Sequence, residues 1–358
     1  VGRDRDLLNQ AWLYYFKGME FKGEFIMRKI NSFTIIFILL TTLLSCTSQD
    51  LTETPMESQL QHVTLMLDWV PNTNHTGFFV AQDKGYYTEV GLEVEIIEPG
   101  EVYAEQAVLG GAADFGVSFQ EQVTLARADE IPIISIAALI QHNTSGFASR
   151  AELNVESPAD WEGIRYGSFG SPFEEPTLKV LMECAGGDYA ELEIVDTGFA
   201  DPLALLDEEQ TDLAWIFYAW QGTQAKLQGI QLDIVMMEDW FDCIPDYYTP
   251  VLITSEDTLQ AQPEIVSAFL KAVSKGYTYA IRNPDEAASI LLEAVPELDE
   301  ELVRASQAWL SPRYQADAPR WGEQKRTVWE EYANWMFQYG IIPETIDAAS
   351  AFSNEFLP

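Results

Sequence analysis

The sequence predicts an α/β protein of two lobes joined by a double-crossing hinge. Three observations predict it. Apolar runs of strand length alternate with helical repeats through the middle of the chain. The alternation is interrupted by one polar, turn-rich stretch and then resumes. Finally, 358 residues exceed what a single ordinary core accommodates, and a 47% hydrophobic content with ten tryptophans supplies enough apolar surface for two.

The elements follow in order. "HVTLMLDW" reads as the first strand, "HTGFFVAQDKGYYTEVG" as a helix ended by Gly91, and "LEVEIIEP" as an alternating second strand. "VYAEQAVLGGAADFGVS" repeats the scheme of helix, glycine stop and strand; "EQVTLARADE" is helical and "IPIISIAALI" is a buried strand. That rhythm is the signature of a mostly parallel sheet. After the polar stretch "SGFASRAELNVESPADWEG", "IRYGSFG" is a strand and glycine turn, and "SPFEEPTLKVLMECAGG" a helix. "LEIVDTG", "DLAWIFYAW" and "LDIVMME" are strands, with "ADPLALLDEEQT" a short helix among them. From about Asp257 the chain is helical, with apolar residues at a 3–4 spacing and "NPDEAA" starting a helix after a proline turn. One lobe is expected at 61–147 plus 251–358 and the other at 148–250, with crossings near 145–149 and 249–254. A cleft between hinged lobes is a common small-ligand trap.

The first sixty residues read differently. "MRKINSFTIIFILLTTLLSC" has a basic head, an apolar run too short to span a membrane comfortably, and Leu-Leu-Ser-Cys at its end. It reads as a secretory signal at 27–45 whose end resembles a bacterial lipoprotein box, with Cys46 the lipidated residue. An ordinary signal peptide with an incidental cysteine is the alternative. Residues 1–26 are expected to be a mis-called upstream extension, and 46–60 a polar tether.

Charge and cysteines narrow the classes. A formal net charge of -37 argues against nucleic acid. It also disfavours polyanionic ligands unless local donors outweigh the field. Cys184 and Cys243 remain once Cys46 is assigned, enough for one disulfide but not for a disulfide framework. There is no CxxC and no cysteine–histidine cluster at metal spacing, so a structural zinc site is not expected, and no metal or cofactor is assigned to the chain.

Candidate ligand groups sit where strands end. Trp69 enters a Pro-Asn turn, either as a flat stacking face or as a core ring under that turn. Asn72 and Asn74 are turn formers and caps or ligand contacts. His75 opens a helix, where the dipole favours a neutral ring; acceptor, base, ligand and structural roles are all open. In "YGSFGSPFEEP", two glycines and two serines precede a helix opening with Pro172 and two glutamates. Free amides there would bind an anionic or carbonyl group, whereas Glu174 and Glu175 could simply complement the dipole. "WIFYAWQG" offers Trp215, Tyr218 and Gln221 at a strand exit, for stacking and for pairing with an amidine edge, or for the lobe's core. "DYYTP" adds Tyr247 and Tyr248. No Ser–His–Asp order, HExxH or paired-carboxylate motif stands out.

Four segments carry a resemblance: "LDWVPNTNHTGFFVAQDKGYY", "ADFGVSFQEQVTLARA", "IQHNTSGFAS" and "YGSFGSPFEE". Together, over about 63–356, the chain resembles the thiamine-pyrimidine precursor family. That family includes ThiY-like bacterial lipoproteins that bind formylaminopyrimidine for an ABC importer, and fungal enzymes that make hydroxymethylpyrimidine phosphate. The resemblance implies a two-lobed type II periplasmic-binding-protein fold. It implies a pyrimidine held between an aromatic pair, with Trp69 and Tyr218 the candidates, and a 167–171 loop receiving the ligand's polar tail. The implied ligand set is Trp69, Asn74, His75, Gln120, Glu121, Gly167, Ser168, Phe169, Gly170, Ser171, Glu175, Trp215, Tyr218, Gln221 and Tyr248.

In the fungal synthases the residue matching His75 is a histidine consumed as substrate, beside a lysine holding pyridoxal phosphate and an iron-linked cysteine cluster. Here 70–74 reads V-P-N-T-N without a lysine, and "FDCIPDYYTPVLI" holds Cys243 alone. The expectation is therefore a binding protein and not an enzyme: monomeric, extracytoplasmic, anchored by lipid and partnered by a membrane permease. A binder of another heteroaromatic such as riboflavin is the alternative, with a synthase-like enzyme disfavoured. Two departures touch the pocket: Phe169 stands where ThiY-like proteins tend to have tryptophan, and Pro176 is expected to interrupt the following helix. Related two-lobed proteins take riboflavin, nitrate, sulfonates or taurine, and the acidic body disfavours the anions among them.

Overall fold

The structure, a computed structural model, describes residues 60–100, 102–198 and 200–358. The expected upstream extension, signal segment, Cys46 and almost all of the tether lie outside the described residues.

Two five-stranded sheets form the body. The first contains β1 (Gln61–Met66), β2 (Leu92–Ile97), β3 (Phe115–Ser118) and β4 (Ile133–Ala138), with helices α1 (Thr76–Asp83), α2 (Ala104–Leu109) and α3 (Gln120–Ala128) between them. The second contains β5 (Ser145–Arg150), β6 (Arg165–Ser168), β7 (Glu193–Asp196), β8 (Leu213–Phe217) and β9 (Leu232–Met236), with α4 (Glu174–Ala185) following β6. The chain then returns as β10 (Val251–Ser255), which completes the first sheet.

The two sheets repeat one order, β2-β1-β3-β10-β4 and β7-β6-β8-β5-β9. In each, the strand entered directly from the other sheet, β10 or β5, runs antiparallel to both neighbours. This departs from the mostly parallel expectation, and the cause is connectivity. A parallel strand needs a crossover helix to bring the chain back to the amino edge. A strand arriving from the other sheet enters at the carboxyl edge instead, so Ser145 lies opposite Phe217 and Val251 opposite Ser118. This is the two-lobed type II fold with its double crossing.

Three local expectations need correction. The polar stretch after β4 begins with a strand: Ser145–Arg150 sits between β8 and β9. Its serines, glycine and alanine hide it from β-propensity, yet Gly146 is required, because a Cβ there would meet the Val235 carbonyl at 2.8 Å. The first helix is broken by Gly85 in the left-handed region (φ 70°). Pro176 interrupts nothing: α4 begins at Glu174, so the proline falls in the first turn, where its missing N–H is not needed.

The C-terminal helices α5 (Pro263–Arg282), α6 (Pro284–Ala294), α7 (Glu300–Leu310) and α8 (Arg326–Gln338) pack on the first sheet. The α1–α5 crossing is closest at Gly77 and Gly276, where a Cβ on Gly276 would lie 2.0 Å from the Gly77 carbonyl. Phe115 and Phe269 stack beneath it with ring centroids 4.0 Å apart. In the second sheet's layer a Cys184–Cys243 disulfide ties the end of α4 to the segment after β9, with Cα atoms 6.3 Å apart.

Candidate ligand-binding cleft

The carboxyl ends of β1, β3, β6 and β8 and both crossings converge, and in α/β sheets that edge is where ligands bind. A surface depression of about 320 Å³ lined by Arg127, Pro132, Glu256 and Asp347 lies at the opposite edge, beyond the far end of β10. It has no part in the cleft.

On the first lobe, β1 runs into a turn that the sequence caps tightly. The Asn72 side chain accepts from the Asn74 amide at 2.9 Å, and the Asn72 amide donates to His75 Nδ1 at 3.2 Å. That bond makes Nδ1 an acceptor, so Nε2 carries the proton and donates to Asp68 Oδ1 at 2.6 Å. His75 is 0% exposed and both ring nitrogens have protein partners. Its ring positions Asp68 and the turn and does not reach solvent. The Asn74 carbonyl accepts from the Tyr277 hydroxyl at 2.6 Å, while the residue itself is half-buried. Trp69 is partly exposed, unlike the buried Trp161, Trp321 and Trp329, and has no ring partner among the described residues.

Beside Asp68 lies Glu105, a residue that sequence reasoning missed. Its carboxyl accepts from the Ser118 hydroxyl at the end of β3. Burial pushes its pKa up, and the neighbouring Asp68 charge pushes the same way. Glu105 stands in the first turn of an ordinary helix, so nothing in one sequence distinguishes it from a dipole partner.

On the second lobe, the 167–171 loop is closed by a carboxylate. Glu174, 0% exposed, accepts from the Phe169 amide at 3.1 Å, the Ser171 amide at 2.5 Å, the Tyr166 hydroxyl at 2.8 Å and the Ser168 hydroxyl at 3.3 Å. Gly170 donates to Ser168 Oγ at 3.1 Å. The loop's amides are thus engaged from within, contrary to the expectation that they stand free. Glu175, placed in the ligand set by sequence, accepts instead from Tyr189 on the exposed side of the helix. Burial pushes the Glu174 pKa up against the four donors. Phe169, Phe173 and Trp215 pack edge to face around the loop.

Aromatic rings meet across the lobes. Phe119, just after β3, stacks on Phe217 at the end of β8, centroids 6.3 Å apart. Tyr218 faces Trp309 of α7 at 5.1 Å, and the Arg313 guanidinium covers the Trp309 ring at 3.6 Å. Tyr218 therefore has Trp309 as a direct ring neighbour, whereas its expected pairing with Trp69 is one across a ligand. Phe119, Phe217 and Trp309 were not predicted, because single aromatics on strands and amphipathic helices read as core. Gln221 Oε1 accepts from the Phe217 amide at 3.0 Å, which fixes the side chain and leaves its NH₂ and one oxygen lone pair for a ligand.

At the crossings the structure assigns internal work to two predicted residues. Gln120 Oε1 accepts from the Tyr248 amide at 2.8 Å, and the Gln120 amide donates to the Tyr248 carbonyl at 3.1 Å. The Tyr248 hydroxyl accepts from the Lys325 amide, and Tyr248 is buried. Together they lash the second crossing to α3. Glu121, 4% exposed, bonds the Tyr247 hydroxyl, and burial pushes its carboxyl up to about 8. Its Oε2 has no hydrogen-bond partner, nor does Thr249 Oγ1 on the second crossing. Nearby, His142 sits between Asp246 (2.5 Å) and Asp317 (2.9 Å), and the Asp246 carboxylate foremost raises its pKa. Among the described residues no group of three or more histidines, cysteines or carboxylates is placed to hold a metal ion.

Comparison with known proteins agrees with this geometry. The NMT1/THI5-like family model matches residues 72–287. A formylaminopyrimidine-binding protein of Halalkalibacterium halodurans is 32% identical over 91% of the chain and 99% of its own length. A 4-amino-5-hydroxymethyl-2-methylpyrimidine phosphate synthase of Legionella pneumophila is 28% identical over 85% of the chain and 94% of its own, and the riboflavin-binding protein RibY of Chloroflexus aurantiacus 27% over 84% and 87%. Among solved structures, the nitrate-binding protein NrtA from Synechocystis superposes with a TM-score of 0.66 at 13% identity, covering 83% of this chain and 87% of that one. The alkanesulfonate-binding protein SsuA from Xanthomonas axonopodis gives 0.64 at 14% identity, covering 82% and 98%.

Proposed function

The chain belongs to the NMT1/THI5-like family, and from that premise we propose that it is the extracytoplasmic substrate-binding component of an ABC importer, capturing a pyrimidine precursor of thiamine. Formylaminopyrimidine and hydroxymethylpyrimidine are the leading ligands. The observation that carries this reading is the aromatic lining where the two lobes meet: Trp69 partly exposed and unpaired, Phe119 against Phe217, and Tyr218 beside Trp309. Such rings suit a flat heterocycle. Closure about the hinge would be favoured by contacts that exist only with both lobes on the ligand. The Cys184–Cys243 disulfide supports an oxidising compartment, and lipidation at Cys46 would hold the protein at the membrane beside its permease.

His75 supports binding over synthesis. A histidine consumed as substrate must meet its reaction partner, whereas this ring is buried and bonded at both nitrogens. No lysine stands at 70–74 to hold pyridoxal phosphate, and Cys243 is engaged with Cys184. Riboflavin is the second reading, favoured by the likeness to RibY and by the same aromatic lining.

The test is a tryptophan-fluorescence titration with formylaminopyrimidine, hydroxymethylpyrimidine, thiamine and riboflavin. Saturable quenching by a pyrimidine upholds the proposal. A yellow protein as purified, or quenching by riboflavin alone, moves the assignment to the flavin. Silence from all four in a folded protein removes the pyrimidine assignment.

A further inference from the structure

The 167–171 loop lies at the carboxyl end of β6 and leads into the twelve-residue helix α4. Loops of this kind hold phosphates and other anions, because their amides and the helix dipole point at the ligand. Here the position such an anion would take is filled by the chain's own carboxyl. Two amides, Phe169 and Ser171, and two hydroxyls, Tyr166 and Ser168, converge on Glu174, which is completely buried.

We propose that Glu174 is the specificity-determining residue that makes this cleft accept an unphosphorylated pyrimidine and refuse its phosphate ester. The inference rests on the pyrimidine reading given above and adds to it the chemical form of the ligand. A phosphate monoester carries up to two negative charges near neutral pH. To enter the loop it would have to displace Glu174 from its four donors or sit against it without donors. Compensating cations are engaged elsewhere: Arg165, at the opposite end of β6, and Arg150 are both bonded to Asp212. Arg313 lies on the Trp309 face, with Nη1 on the Trp309 carbonyl. On the facing lobe Asp68, just after β1, adds to the repulsion.

A neutral tail meets a different surface. Ser171 Oγ is buried and has no hydrogen-bond partner. A hydroxyl can donate or accept, so it can serve a hydroxymethyl or formylamino group without disturbing Glu174. Occupancy of the loop, as much as charge, therefore excludes the ester. Glutamine in place of Glu174 would keep the occupancy and remove the charge, whereas alanine would remove both.

The experiment is calorimetric titration of the wild-type protein, Glu174→Gln and Glu174→Ala with 4-amino-5-hydroxymethyl-2-methylpyrimidine, its phosphate ester and inorganic phosphate. The wild type should prefer the alcohol by at least about 100-fold, as expected from two amide bonds to a charged group denied to the ester. Glu174→Ala should narrow that preference to below about tenfold by gaining affinity for the ester, with Glu174→Gln in between. Equal binding of alcohol and ester by the wild type, or an unchanged preference in a folded Glu174→Ala, overturns the proposal. If Glu174→Ala does not fold, Glu174→Gln decides: a preference equal to wild type overturns it. If no protein binds either pyrimidine, the functional reading falls separately and inorganic phosphate decides this one. Thermal stabilisation of Glu174→Ala but not of wild type by phosphate upholds an amide cradle filled by Glu174, and no stabilisation overturns it.

Discussion

Replacing Glu121 by glutamine should leave the protein's stability nearly unchanged in acid and raise it sharply in alkali. Glu121 is 4% exposed at the start of α3, touching the second crossing through Tyr247, and burial moves its carboxyl from the ordinary 4.5 to about 8. The sign follows from linkage. The folded state keeps a proton that the unfolded chain releases above 4.5, so folding is favoured by this group below 4.5. The advantage is lost as pH rises towards 8. Each pH unit in that window removes about 1.4 kcal/mol, and the whole interval amounts to about 5 kcal/mol. The group is almost fully buried, so solvent screening takes little from that figure.

Glutamine has the same shape and no proton to lose. Urea denaturation of both proteins at pH 5, 7 and 9 should show a stability difference that grows in favour of Glu121→Gln by roughly 4–5 kcal/mol between the ends of the series. Any difference in how the amide fits is independent of pH and cancels. A difference that stays constant from pH 5 to 9 would refute the reasoning, because a carboxylate able to ionise freely at that position is incompatible with its burial against Tyr247.

Other perturbations test other parts of the site. Trp69→Ala should weaken pyrimidine binding by about 10- to 100-fold, the worth of one stacked base, with little change in denaturation midpoint because the ring is partly exposed; full affinity in the variant would remove Trp69 from the pocket. His75→Ala should destabilise the protein by about 2–4 kcal/mol, since it strands the Asn72 amide and Asp68 in a buried turn, and a variant as stable as wild type would show that the ring does not hold the turn. Reducing the Cys184–Cys243 bond, which spans 59 residues, should cost about 4 kcal/mol on the chain-entropy model; an unchanged melting temperature with free thiols confirmed would contradict that.

The elements legible in the sequence were those whose local period agrees with their environment. β2 alternates, β4 is buried throughout and apolar but for Ser135, and α5 and α7 carry clear apolar stripes. β5 was not legible, because a strand whose residues other than Phe147 and Arg150 are serine, glycine and alanine is held by its neighbours on both sides and not by its own propensity. The loop at 167–171 was found from its glycines and serines, but which of two adjacent glutamates turns into it depends on where the helix begins. The sequence suggested Pro172 as the opening of that helix; the structure starts it at Glu174, which swings Glu174 inward and Glu175 towards Tyr189.

By itself the sequence determined the α/β class, the two lobes and their crossings, the family, and the residue types at the strand ends. These depend on short-range periodicity and on motifs read in order along the chain. The tertiary structure alone decided which groups meet. It set Trp309, 91 residues downstream of Tyr218 in the chain, beside that ring. It buried His75 between Asn72 and Asp68, and it closed the amide loop with Glu174. A side chain's role at a cleft depends on which hydrogen-bonding groups remain free after the chain has satisfied its own, and that balance is struck between segments far apart in sequence.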